Sequence, residues 1–306
     1  MARITSRSEA LTQGYTDSEL RRMCRTGDLM RVRRGAYASS DDIANLTDKE
    51  RHLLLARTMM TTGNLAPDAV LSHASAAIAH GIDVWNVPLS AVHITRNRRT
   101  GGRTGPVRHV HASPYDVDEV TDVAGIRSTT VSRTIADLAC CLPFEEAVCA
   151  ADDAARRFGL AGAQVEEILA RRPTRSGHAR AHRVALFMDA GSESVGESRS
   201  RVLLRTAGFA VSTQQTIKCG NTFYRVDFLV DGSNVIGEFD GRVKYGRLVP
   251  AGETPADVLW REKLREDALR DAGYTVVRWT WQDLATPDII IDRIRRALAR
   301  NRTPPA

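Results

Sequence analysis

Apolar and polar positions alternate in short, mixed stretches over the front half of the chain and settle into a regular helix–strand rhythm in the last third. Thr16-Asp17-Ser18-Glu19 has the form of a capping box, a hydroxyl followed three residues later by a carboxylate. It predicts a helix with Leu20, Met23 and Cys24 on one face and Arg21, Arg22 and Arg25 on the other, ended by Gly27-Asp28. A shorter helical stretch over 6–11 precedes it and stops at Gly14. The segment from Leu29 to Tyr37 alternates and bends at Gly35, as a two-stranded wing does. Helix, turn, helix and wing together predict a winged helix over 1–45.

Thr47-Asp48-Lys49-Glu50 is a second capping box, opening a helix through Leu53, Leu54 and Met59 towards Gly63. A further helix is expected from Leu71 to His80, stopped by Gly81. Strand-like runs at 91–95 and 107–111 enclose an arginine-rich segment with turn sequences at Thr100-Gly101-Gly102 and Thr104-Gly105-Pro106, which predicts a basic hairpin over 93–111. A strand near 125–129 and helices over 131–141, 144–158 and 163–170 complete a middle α/β module, 46–175. The boundary is set by 171–177, which lacks any apolar residue. For 176–306 the order is αβββαβα: helices at 192–207, 255–272 and 288–300, with strands at 209–216, 223–230, 234–240 and 274–281. The fold class is α/β, α+β overall.

The 306 residues are 42% hydrophobic and 26% charged, a globular composition that excludes a mainly disordered or fibrous chain. No apolar run reaches the ~20 residues of a membrane span, and no signal peptide opens the chain, so a cytoplasmic protein without membrane contact is expected. Five cysteines without a C-x-x-C pair indicate neither a disulfide framework nor a cysteine zinc site. Net charge is +6, and its distribution is uneven: 16 Lys+Arg against 10 Asp+Glu up to His111, then 2 against 7 over 112–150. Arg96, Arg98, Arg99, Arg103 and Arg108 occur between His93 and His111 without one acid. Such a run repels itself unless an anion is near, so the charge permits a polyanionic partner without demanding one.

Carboxylates stand at particular points of the last third. Glu238 and Asp240 alternate along one strand and so share a face, while Asp227 lies on the strand before. A buried carboxylate costs several kcal/mol unless it is paired or metal-bound. Glu197 in a helix, then Asp227, then Glu238, in the order αβββαβ, resembles the PD-(D/E)XK nuclease superfamily. The nearest branch is the very-short-patch-repair-type endonucleases, through Glu238-Phe239-Asp240-Gly241-Arg242-Val243-Lys244 read as E-x-D-G-x-x-(H/K). The resemblance spans roughly 192–300. It implies Mg²⁺- or Mn²⁺-dependent hydrolysis of DNA phosphodiesters, with Asp227 and Glu238 as metal ligands and Glu197 as ligand or water orienter. The usual E-x-K lysine is replaced by Asp240, so Lys244 or Lys263 would have to assist the nucleophile. Glu197 has a plainer use as well, pairing with Arg201 four residues on.

Gly27-Asp28-Leu29-Met30-Arg31-Val32-Arg33-Arg34-Gly35-Ala36-Tyr37 resembles the N-terminal winged helix of AbiEi-type antitoxins, the repressor half of a toxin–antitoxin pair. Leu71-Ser72-His73-Ala74-Ser75 and Arg133-Thr134-Ile135-Ala136-Asp137 resemble the module that follows it, so the likeness covers about 5–160. It implies DNA as partner, met by Arg21, Arg22 and Arg25 on the second helix and by Arg31, Arg33 and Arg34 on the wing, with a cognate toxin as a further partner. His73, His80, His93, His109 and His111 show no metal-ligand spacing and are expected in the core or against phosphate. Trp279 and Trp281 are expected to share a strand face in the core. Two readings follow: a self-targeting endonuclease, or a regulator whose nuclease fold is inactive.

Overall fold

The computed structural model describes residues 4–62, 65–241 and 254–300 and divides into two compact units. The first comprises Met1–Ala150 with Leu160–Phe187, the second Ala151–Gly159 with Met188–Ala306. This division falls elsewhere than the sequence boundaries at 45 and 175. The apolar-free stretch 171–177 is no linker: Arg171 pairs with Asp118 at 2.8 Å, Arg172 with Glu119 at 2.6 Å, and Arg175 with Asp137, all inside the first unit. Side chains that fasten a segment by ion pairs read, in sequence, like those that solvate it.

In the first unit, β1 (Thr5–Ser6), α1 (Arg7–Thr12), α2 (Asp17–Thr26), β2 (Leu29–Arg33) and β3 (Ala36–Ser39) form the winged helix, its sheet ordered β1-β3-β2. Both capping boxes are present: Thr16 N–H donates to Glu19 at 2.8 Å, and Thr47 N–H to Glu50 at 2.7 Å. The second starts α4 (Asp48–Thr62), after the short α3 (Ser40–Ala44). A six-stranded mixed sheet follows, built from β4 (Ala69–Leu71), β5 (Val92–Arg96), β6 (Arg103–Thr104), β7 (Arg108–Ala112), β8 (Val120–Val123) and β9 (Ile126–Thr129), in the order β6-β7-β5-β4-β9-β8. The helix expected from Leu71 begins only at His73, as α5 (His73–His80), because Ala69, Val70 and Leu71 are taken into the sheet as a wholly buried strand. α6 (Val131–Cys141), α7 (Phe144–Phe158), α8 (Gly162–Ala170) and α9 (His178–Phe187) follow; α9 had no counterpart among the predicted elements.

The basic hairpin is corrected by the strand directions. β5 and β7 run parallel, with His93 beside His109 and Thr95 beside His111. The only hairpin there is the small one between β6 and β7. Parallel pairing needs a crossover of about a dozen residues, and the Gly- and Arg-rich segment supplies that length instead of a turn.

The second unit carries α10 (Val195–Thr206), β10 (Val211–Cys219), β11 (Thr222–Val230), β12 (Val235–Asp240), α11 (Pro255–Asp271), β13 (Thr275–Thr280), α12 (Trp281–Leu284) and α13 (Pro287–Arg300). Its sheet is ordered β10-β11-β12-β13, antiparallel except for the parallel β12–β13 pair. The expected αβββαβ order is the order found. β12 is buried from Val235 through Phe239, as a central strand covered on both faces should be. Gly237 lets Trp279 pack close against the strand, since a Cβ there would meet the indole at 2.4 Å. Gly196 plays the same part for α10, where a Cβ would fall 2.0 Å from the Phe239 ring. Trp279 is in the core, its Nε1 donating to Ser200 at 2.7 Å. Trp281 departs from expectation: β13 ends at Thr280, and Trp281 opens α12 with 38% exposure, its ring edge-on to Phe239.

Candidate nucleic-acid interface and acidic cleft

The apolar face of α2 sets the interface geometry. Leu20 is buried, which turns Arg21, Arg22 and Arg25 outward, all exposed. Arg31 and Arg34 of the wing are exposed as well and Arg33 is half-buried. Helix and wing therefore present six guanidinium groups from one 40-residue element. In the crossover, Arg98, Arg99, Arg103 and Arg108 are exposed, whereas Arg96 is bound to Asp68 at 2.5 Å.

The acids of the second unit converge on one cleft of about 300 Å³. Glu197 of α10, Asp227 of β11, and Glu238 and Asp240 of β12 all line it. Their partners show how each is held. Glu197 accepts the Glu193 N–H at 2.9 Å, the Ser194 hydroxyl at 2.8 Å and the Gln214 amide at 3.0 Å. Arg201, four residues on, is engaged by Asp152 at 2.7 and 2.8 Å. Asp227 accepts the Phe239 N–H at 2.9 Å. Glu238 takes a guanidinium on each oxygen: Arg265 of α11 at 2.5 Å and Arg278 of β13, its register neighbour, at 3.0 Å. Burial works to lower both arginine pKa values, but the hydrogen bond and charge of Glu238 outweigh it and both are raised. Lys263 is exposed on α11, 5.6 Å from the Trp260 ring, and is not among the cleft residues. Lys244 lies outside the described residues.

Residues 4–40 match the family described as "Transcriptional regulator, AbiEi antitoxin". That span is the winged helix. Over 290 residues the chain is 25% identical to the uncharacterized protein MT2308 of Mycobacterium tuberculosis strain CDC 1551 / Oshkosh and, equally, to the uncharacterized protein Rv2248 of strain H37Rv, covering 94% of this chain and 98% of either relative. It is also similar to the crystal structure of the RV2827C protein from Mycobacterium tuberculosis, with a TM-score of 0.40 and 16% identity over 65% of this chain and 75% of that one. The winged-helix, AbiEi-like character of the N-terminus thus rests on an independent likeness as well as on its geometry. Among the described residues no helix is long and apolar enough to cross a membrane.

Two sets of residues escaped the sequence reading. Arg225, Arg265 and Arg278 are the arginines lining the cleft, where the sequence reading looked to Lys244 and Lys263. Arg278 stands opposite Glu238 only through the parallel register, which sequence spacing does not show. The other set is His73, His93 and His111, scattered over 39 residues, which the β4–β5–β7 arrangement gathers with one ring nitrogen of each within 4.8 Å of the others. Burial first, then His111 and His109, pushes the His93 imidazole down to about 3. Burial, against the pull of Asp137, takes His111 to about 4. His80, by contrast, fills a structural role, bonded to the Thr129 carbonyl at 2.7 Å.

Proposed function

We propose that this protein is a DNA-binding transcriptional regulator of the AbiEi antitoxin type, with a cognate toxin as partner, whose C-terminal unit has the layout of a nuclease without its reaction. One observation carries the reading: the segment matching the antitoxin family is a folded winged helix whose second helix turns three arginines to solvent. A helix of that kind enters the major groove while the wing meets phosphate. The state of the acidic cleft supports the second half. Mg²⁺ is drawn to carboxylate charge that nothing else neutralises, yet Glu238 pairs with a guanidinium on each oxygen and Glu197 serves as a capping acid. The two guanidinium groups on Glu238 weigh against a divalent ion in this cleft, and no catalytic step is assigned to it.

A second reading, a Mg²⁺- or Mn²⁺-dependent DNA endonuclease, draws on the convergence of Glu197, Asp227, Glu238 and Asp240 on one cleft. A single set of measurements separates the two. Full-length protein titrated onto a duplex from upstream of its own reading frame should bind with strong salt dependence, and plasmid, linear and single-stranded DNA should stay intact in Mg²⁺ or Mn²⁺. Cutting that EDTA and Asp227→Asn both abolish would establish the endonuclease instead. Intact DNA together with no duplex binding would remove both readings.

A further inference from the structure

The histidine cluster lies in the first unit, apart from the acidic cleft, and neither functional reading uses it. β5 and β7 bring it together: their parallel register puts Thr95 next to His111, and His93 Nδ1 lies 3.0 Å from His111 Nε2. His73 arrives from the other side, as the first residue of α5, with its ring stacked on that of His111 at 3.7 Å between centroids. Its backbone is left-handed, φ +52°, a conformation uncommon outside glycine though histidine adopts it more readily than most side chains.

Beside this trio stands Asp137 of α6, with no exposed surface. Its Oδ1 is bound by Arg133 at 2.8 Å and by Arg175. Its Oδ2 has no hydrogen-bond partner among the described residues and lies 3.9 Å from His73 Nδ1, which itself meets the Ser72 hydroxyl at 2.9 Å. A buried carboxylate oxygen left without a donor is costly, which marks this one as available to orient a neighbouring ring. Metal-bound histidines commonly direct their second nitrogen at such a carboxylate, which orients the ring. Solvent reaches the trio through His111, which lines a cleft of about 1020 Å³ in the same unit.

We propose that His73, His93 and His111 bind one divalent transition-metal ion of the zinc class, with Asp137 as the positioning residue behind His73. Three imidazoles and no sulfur or carboxylate in the inner set select a borderline ion of this kind over Mg²⁺ or Ca²⁺. The site leaves one tetrahedral position for water or another ligand from the cleft.

The test uses full-length, tag-free protein stripped with EDTA and titrated with Co²⁺. One equivalent of visible absorption characteristic of four-coordinate cobalt is expected, bleached by an equal amount of Zn²⁺. His111→Gln should weaken Co²⁺ binding at least a hundredfold, and His182→Gln, at an exposed histidine outside the cluster, should leave it unaltered. Asp137→Asn should weaken it ten- to a hundredfold and shift the cobalt bands, a spectral change that lost stability alone does not produce. Because substitutions in this core can impair folding, proton NMR of the cobalt-loaded wild type gives a variant-free measure: three hyperfine-shifted, exchangeable imidazole N–H signals. No cobalt absorption, absorption typical of six oxygen ligands, or a full equivalent retained by His93→Gln/His111→Gln would each overturn the assignment.

Discussion

Glu119 shows at the scale of one residue how much of this protein is held by ion pairs without contact to water. Its side chain has no exposed surface and meets Arg133 at 2.9 Å and Arg172 at 2.6 Å. Burial alone would raise its pKa; the hydrogen bonds and the two guanidinium charges reverse that and hold it below the usual carboxylate value of 4.5. A depressed folded pKa means the unfolded chain takes up the proton first. The stabilisation is therefore complete above the ordinary carboxylate range and is lost as pH falls through it towards the folded value. Glu119→Gln, which leaves buried Arg133 to Asp137 alone and removes the partner of half-buried Arg172, should destabilise the unit at pH 7, by at most the about 3–5 kcal/mol of a broken buried pair. Urea unfolding at pH 7 and at pH 3.5 should show the gap to wild type narrowing in acid; an equal gap at both would mean that the charge of Glu119 is not what stabilises the unit.

At the scale of the element, α2 joins sequence to function most directly. The Thr16 hydroxyl accepts the Glu19 N–H at 3.2 Å and so satisfies one of the four donors that a helix start leaves unpaired. Thr16→Ala should cost about 1 kcal/mol of stability. A frayed first turn also misplaces Arg21, so duplex DNA affinity should fall several-fold. No phosphate contact is removed outright, and the salt dependence should keep its slope. A flattened slope in this variant would show Thr16 itself, or the turn it starts, to be a phosphate contact. The lesson of the crossover belongs to this scale too. A run of arginines between two strand patterns looks like a hairpin tip, but the strands it joins are parallel neighbours, and the run is the connection between them.

For the whole molecule, the question is how many of the exposed arginines act on one DNA. Each phosphate neutralised adds about 0.9 to the slope of log affinity against log salt concentration. Arg21→Ala with Arg25→Ala should flatten that slope, because both groups stand on the exposed side of α2. Arg98→Ala with Arg99→Ala asks the same of the crossover, and a further flattening is expected if one duplex spans both surfaces. Binding of wild-type strength and slope in the second pair would confine the interface to the winged helix.

The local order of elements was legible from the chain because it follows from short-range rules. Capping boxes at Thr16 and Thr47 start helices wherever the rest of the fold lies, and Val226, Phe228 and Val230 alternate with Asp227 because a strand's side chains must. The acids at Glu197, Asp227, Glu238 and Asp240 could be singled out by their order along helix and strands, through the resemblance to a nuclease core and the face that Glu238 and Asp240 share. Partners could not be, since an ion pair depends on distance and not on spacing. Arg278 reaches Glu238 only through the parallel register, and Arg201 meets Asp152, 49 residues away in the chain. The histidines make the point most sharply: 73, 93 and 111 share no motif, and only the placing of a helix start over two parallel strands makes them neighbours. Sequence specified which groups this protein has to spend on chemistry; the tertiary structure decided which of them meet, because contact between distant residues is set by how the sheets close.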